Sequence, residues 1–381
     1  RREGGARIAV AVGSRGIGSL AAIVRSAVDW LRARGAAPFI VPAMGSHGGA
    51  TAEGQAEVLR SYGIHEESMG VPVRSSMETV TLEASGSDVD LFMDRFAWES
   101  DGVLLVNRVK PHTDFHGFPE SGLMKMSVIG LGKHDQAKAI HGRGIYGLTK
   151  QILPTARRII ATGKVIGGLA TVEDAYDHPM EIRAAAADAI EPMERELLEL
   201  ATQSMARLPL DEIDLLVVDE IGKDVSGSGL DTNVIGRIRI LGQDEPEAPT
   251  VRSIAVSRLT PASHGNAIGM GLADVITREL YESINFSATY ENGITSSFSE
   301  RIKVPCVAAD EADAFRIGLR FVGLHADAQT AADTARIVRI RNTLDLSTIM
   351  VSPSAAAALE ESPIVELGSD VGPLLCAGRF C

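Results

Sequence analysis

The sequence predicts an α/β protein built from two domains with mainly parallel sheets and an active-site cleft between them. Three observations carry that expectation. Short apolar runs of strand length alternate with segments whose apolar residues recur at helical spacing. The chain has 381 residues, more than the ~100–200 of a typical single domain. Polar, glycine-rich loops follow four of the apparent strands, at residues 13–18, 44–51, 108–122 and 222–229, and open α/β sheets bind ligands in such loops.

Residues 6–12 read as a buried strand because they are β-branched or small and carry no charge after Arg7. Leu20, Ile23, Val24, Ala27, Val28 and Leu31 then fall on one face of a helix over 20–34. A second strand is expected at 39–41 and a helix at 51–62, with Thr51 as its N-cap. This strand–helix–strand–helix opening predicts parallel pairing. Further strands are expected at 102–107 and 164–172, followed by a long acidic helix over 184–205. Arg207-Leu208-Pro209 breaks that helix, so the domain boundary is placed near residue 206. The second half repeats the style, with strands at 213–218, 251–256 and 303–307, helices at 271–282 and 309–321, and a short helix over 355–358. Final strands at 348–351 and 364–367 suit either domain. The expected division is 1–206, 207–345 and a C-terminal segment 346–381 that could return to the first domain.

Composition narrows the function. The net charge is −13 and the apolar share 45%, a balance that opposes general nucleic-acid binding, which needs a basic face. No run reaches the ~18–20 apolar residues of a membrane-spanning helix. Cys306, Cys376 and Cys381 are too few for a disulfide framework or a thiolate metal site. The cytoplasm is therefore the expected compartment. The chain starts abruptly before its first strand, which suggests a preceding native extension.

The loops hold the unusual chemistry. Gly13, Gly16 and Gly18 depart from the dinucleotide fingerprint, and residues 39–42 offer no acid for a ribose. Arg15 in that loop suits a carboxylate or phosphate, or is a solvated surface arginine. His47, His112, His116, His134 and His141 crowd the first-half loops; each is either a hydrogen-bonded structural residue or a titrating one. Pro111 stiffens the approach to His112. Lys125, within Leu123-Met124-Lys125-Met126, is either a snorkelling residue or a desolvated amine. Lys223 opens a serine- and glycine-rich loop and could meet a substrate anion or solvent. His264 lies in another tight polar loop.

Taken in order, Arg15, the Gly45-Ser46-His47 loop, Pro111-His112, Lys125 and His141 resemble the nickel-pincer nucleotide-dependent lactate racemase family and its 2-hydroxyacid racemase and epimerase relatives. The resemblance runs through most of the chain and is clearest over residues 6–145. It implies a pyridinium mononucleotide whose sulfur and ring-carbon atoms clamp nickel. Lys125 matches the lysine that tethers this nucleotide, Gly45 and Ser46 fall in its binding loop, and His141 matches the histidine completing nickel's coordination. His47 and His112 match the paired acid/base histidines, Arg15 the arginine that orients substrate, and Lys223 the lysine that holds its carboxylate. Glu120-Ser121-Gly122-Leu123-Met124 replaces the family's small-residue run before the lysine, and the stretch from His112 to Lys125 is longer. Covalent attachment at Lys125 and the identity of the acid therefore stay open. His116, His134 and His264 receive no role.

The implied reaction is racemisation or epimerisation of a 2-hydroxyacid. A base takes the hydroxyl proton while the carbon-bound hydrogen passes to the electrophilic cofactor, and two bases serve the two faces. Expected partners are a small 2-hydroxyacid and the proteins that make the cofactor, with the chain a monomer or homodimer. Two other readings are a non-catalytic nickel or cofactor carrier, and a metal-dependent hydrolase with His47, His112 and His141 on one ion.

Overall fold

A computed structural model describes residues 5–13, 16–82, 89–324, 328–363, 365–369, 372, 375–376 and 379–380. The chain divides into two compact units, Arg1–Met205 and Ala206–Cys381.

The strands of the first unit are β1 (Arg7–Val12), β2 (Ala37–Pro42), β3 (Thr79–Leu82), β4 (Leu91–Asp94), β5 (Gly102–Arg108), β6 (Val165–Glu173) and β7 (Pro179–Ala186). Five of them form one sheet in the order β2-β1-β5-β6-β7, parallel except for the last pair. β1 is the middle of the apolar core, buried from Ile8 to Val12, as expected of a parallel strand covered on both faces. Val10 sits opposite Ile40 on one side and Leu104 on the other. Helix Leu20–Ala33 buries the same six residues that the helical spacing selects, and all but Ala27 join the cluster around Val10, Ile40 and Val106. Strands β3 and β4 form a separate antiparallel pair.

The second unit contains β8 (Glu212–Ile221), β9 (Thr250–Leu259), β10 (Val275–Thr277), β11 (Cys306–Ala308), β12 (Ile337–Ile340) and β13 (Met350–Val351). Their order is β11-β10-β9-β8-β12-β13, again parallel except at the final pair. The α/β class with two mainly parallel sheets is thus the architecture adopted. Among the described residues, no helix is long and apolar enough to cross a membrane.

Three local expectations need correction. The helix expected over 184–205 begins only at Ile190, because residues 184–186 complete β7 against β6. Alternate residues of β7 are exposed, so a ladder of period two overrides the helix propensity of its alanines. The helix expected over 271–282 resolves into a turn at Met270–Leu272, β10, and helix Arg278–Glu282; Val275 and Ile276 pair with β9 instead. Of the strand expected at 364–367, residue 364 lies outside the described residues, and 365–367 form no strand.

Candidate functional site

In the first unit, β1 leads to β2 on one side of itself while β5 lies on the other. The loops leaving the carboxyl ends of β1 and β5 therefore diverge at a topological switch point, the usual ligand position of such sheets. Arg108, at the end of β5, donates to the Gly16 carbonyl at 3.2 Å and pairs with Glu173. Glu173 also accepts the Gly18 N–H at 2.5 Å. These bonds anchor the loop that contains Arg15, which itself lies outside the described residues.

The loop after β2 carries Gly45, Ser46 and His47. Gly45 takes a positive φ of 64°, and a Cβ there would meet Ile129 at 3.0 Å, so only glycine seats this turn without strain. Its N–H donates to the Gly130 carbonyl at 3.3 Å. The loop's carbonyls are tied down from behind. Gln55 donates to Gly45 O at 2.8 Å and to His47 O at 3.3 Å, while its own side-chain oxygen accepts from the Lys133 ammonium at 3.0 Å. Lys133 also donates to Pro42 O and pairs with Asp94 at 3.2 Å. Gln55, Lys133 and Asp94 are fully buried. Burial drives the Asp94 carboxyl up and the Lys133 ammonium down, and their mutual attraction opposes both shifts.

Between β5 and the helical turn Leu123–Lys125, one buried carboxylate organises the chain. Glu120 accepts the N–H of His112 at 2.7 Å and that of Gly117 at 2.9 Å, and its Oε2 lies 3.4 Å from His116 Nδ1. The His112 ring stacks on Phe115 with centroids 4.4 Å apart. The Asp114 N–H donates to His112 Nδ1 at 3.1 Å, which leaves the proton of a neutral ring at Nε2. The Lys125 ammonium lies 5.2 Å from the Phe115 ring centre. Past the π-helical segment Met126–Gly130, helix Lys133–His141 ends in His141. Burial first, and the Lys125 charge second, push the His141 imidazole below its ordinary value, while Asp114 pulls the other way. His112, Lys125 and His141 are therefore gathered around Phe115 and Asp114. His47 is linked to them through the backbone, since its loop packs on Ile129 and Gly130.

His116 is 40% exposed, and His134 and His264 are exposed. In the second unit, Lys223 follows β8, and its ammonium donates to Gly227 O in its own loop at 2.8 Å. Ser263 receives the Lys223 N–H at 2.8 Å, and Thr260 bonds Asp224 at 2.5 Å. Among the described residues, no group of three His, Cys, Asp or Glu side chains could hold a metal ion. His47, His112 and His141 accordingly form no such group.

Gln55, Asp94, Asp114, Phe115, Glu120, Lys133 and Glu194 were not picked out from the sequence as site residues. Glu120 had one usable signal, an acid inside a loop rich in histidine and glycine. Asp114 and Phe115 meet nearby His112, whereas Gln55, Asp94, Lys133 and Glu194 act through partners distant in sequence.

Fold and loops define a two-unit α/β protein with polar loops clustered at the carboxyl ends of parallel strands. In overall structure the chain is similar to the lactate racemase apoprotein from Thermoanaerobacterium thermosaccharolyticum, with a TM-score of 0.52 and 14% sequence identity over 84% of this chain and 83% of that one. A Thermotoga maritima protein gives a TM-score of 0.48 and 14% identity over 66% of each chain. No protein-family model and no curated protein sequence matches the chain. At 14% identity the first likeness shows a shared fold.

Proposed function

We propose that this chain is a lactate racemase-like isomerase that interconverts the stereoisomers of a 2-hydroxyacid with a nickel-pincer nucleotide. The grouping of His112, Lys125 and His141 around Phe115 and Asp114 carries this reading, in a fold like that of a lactate racemase apoprotein.

The residues suit that cofactor. A pincer nucleotide brings most of its own donors to nickel, so one protein imidazole suffices. His141 is held neutral at pH 7 by burial and by the Lys125 charge, and a neutral imidazole has a lone pair to offer a metal. Lys125 would hold the nucleotide, by charge or covalently, and Gly45 and Ser46 would line it. When bound, the cofactor supplies an electrophilic centre for the carbon-bound hydrogen of the substrate.

The chain's own residues handle protons and position. With Nδ1 accepting from Asp114 N–H, a neutral His112 presents an N–H at Nε2 for a hydrogen bond to substrate; it can deliver a proton only as the imidazolium, whose Nδ1–H cannot face that N–H. His47 then serves as the complementary base for the substrate hydroxyl, and the two exchange roles for the opposite stereoisomer. The exchange requires His112 to turn away from the Asp114 N–H. Arg15 and Lys223 would bind the substrate carboxylate.

The test is co-expression with enzymes that make the nucleotide, followed by incubation with single enantiomers of lactate and larger 2-hydroxyacids. Loss of optical purity by chiral chromatography is expected. Cofactor-loaded protein that racemises none of them would overturn the proposal in favour of a carrier.

A further inference from the structure

Glu194 has no part in the reaction above, yet it is 1% exposed and lies against the turn that ends in Lys125. It comes from helix Ile190–Ser204. The Met124 N–H donates to its Oε2 at 3.0 Å, beside the Leu123 N–H, which also favours the charged carboxylate. These are the leading N–H groups of the helical stretch, which have no partner within the helix itself. The preceding residue is Gly122, which has no side chain to cap them. Its lack of a Cβ is also what admits the glutamate: a Cβ at 122 would lie 2.5 Å from the Glu194 carboxyl carbon.

The arrangement is costly. Glu194 Oε1 is buried with no hydrogen-bond partner, and an under-satisfied buried carboxyl group opposes folding. Burial raises the carboxyl to about 7, with Glu191 adding to the rise and the Met124 and Leu123 N–H groups opposing it. A leucine would fill similar space without that cost, but could not accept the Met124 N–H. The same helix steadies the neighbouring loop, since the Arg195 guanidinium lies 3.9 Å from the Phe118 ring centre. Adjacent residues of one helix thus support both the Lys125 turn and the loop carrying His112.

We infer that Glu194 is a positioning residue for Lys125: by accepting the Met124 N–H it fixes the turn that carries the lysine across Phe115. The consequence for function rests on the reading of Lys125 as the residue that holds the nucleotide.

The test uses the full chain and three variants: Glu194→Leu removes the acceptor, Glu194→Gln keeps an acceptor oxygen, and Gly122→Ala displaces the carboxyl group. Reductive methylation followed by peptide mass spectrometry reads Lys125 reactivity against the other lysines, with no need for cofactor or activity. Glu194→Leu is expected to change the Lys125 rate by about tenfold, the scale of one lost charge-assisted hydrogen bond. Glu194→Gln restores it, and Gly122→Ala reproduces the leucine effect even if Glu194→Leu does not fold. An unchanged Lys125 rate in Gly122→Ala, or Glu194→Gln behaving like Glu194→Leu, overturns the inference. The separate reading of Lys125 fails if co-expressed wild-type protein carries no nickel nucleotide, whatever the methylation rates show.

Discussion

The Lys133 ammonium lies 3.2 Å from the Asp94 carboxylate, and neither side chain has any exposure to solvent. Removing one partner of a buried pair strands the other charge, a change that typically costs ~3–5 kcal/mol. Lys133→Met should destabilise the chain by about that amount in urea unfolding. It also releases Gln55 from the ammonium, so the loop holding Gly45 and His47 loosens. An unchanged unfolding midpoint would contradict the role given to the pair.

Glu120 connects two N–H groups on either side of Phe115. Glu120→Ala leaves both without that acceptor, at ~1–3 kcal/mol for unsatisfied buried groups, and frees the backbone of His112. The expected result is a fall in kcat larger than any rise in KM, because His112, the residue proposed to transfer the proton, moves. A change confined to KM would place Glu120 in substrate binding instead.

His141 should report on Lys125. The lysine charge disfavours a second positive charge on the imidazole, so Lys125→Met should raise the His141 pKa. An NMR titration of the imidazole C–H signals reads this directly in the protein without cofactor. A His141 pKa that stays fixed or falls would separate the two residues.

Glu194 gives a pH signature of stability. Its folded value of about 7 stands above the ordinary 4.5, so the folded chain binds this proton more tightly than the unfolded one. The contribution is fully present below about pH 4.5 and is lost as pH rises through about 7, a change of roughly 3 kcal/mol. Glu194→Gln should remove that part of the slope, so wild type should lose more stability than the variant between pH 5 and pH 8. Parallel denaturation curves for the two across this range would refute the shift.

His47→Ala and His112→Ala should each lower turnover by ~10²–10⁴-fold, the usual worth of general acid–base help, with circular dichroism unchanged. Wild-type turnover in both variants would remove the acid/base assignments.

The sheets were readable because parallel strands buried on both faces leave near-continuous apolar runs, as in β1 and β8. The face of helix Leu20–Ala33 was readable residue by residue because its apolar residues recur at helical spacing on the one buried side. β7 was not, because it ends in three alanines, Ala184–Ala186, that suit a helix when taken alone. The supports of the loops were hidden by distance along the chain. Lys133 meets Gln55 across 78 residues and Glu194 meets Met124 across 70, and each looks like an ordinary surface residue in its local sequence. Loop glycines and histidines advertise chemistry, whereas the charges that hold them in place do not.

The most direct measurement is metal and intact-mass analysis of the chain co-expressed with enzymes that make the nickel nucleotide, with His141→Ala and Lys125→Ala alongside. The account predicts stoichiometric nickel and the nucleotide's mass in wild type, with nickel lost from His141→Ala and the nucleotide lost from Lys125→Ala. Wild-type protein without nickel or nucleotide, or both variants loaded to the wild-type level, would contradict it.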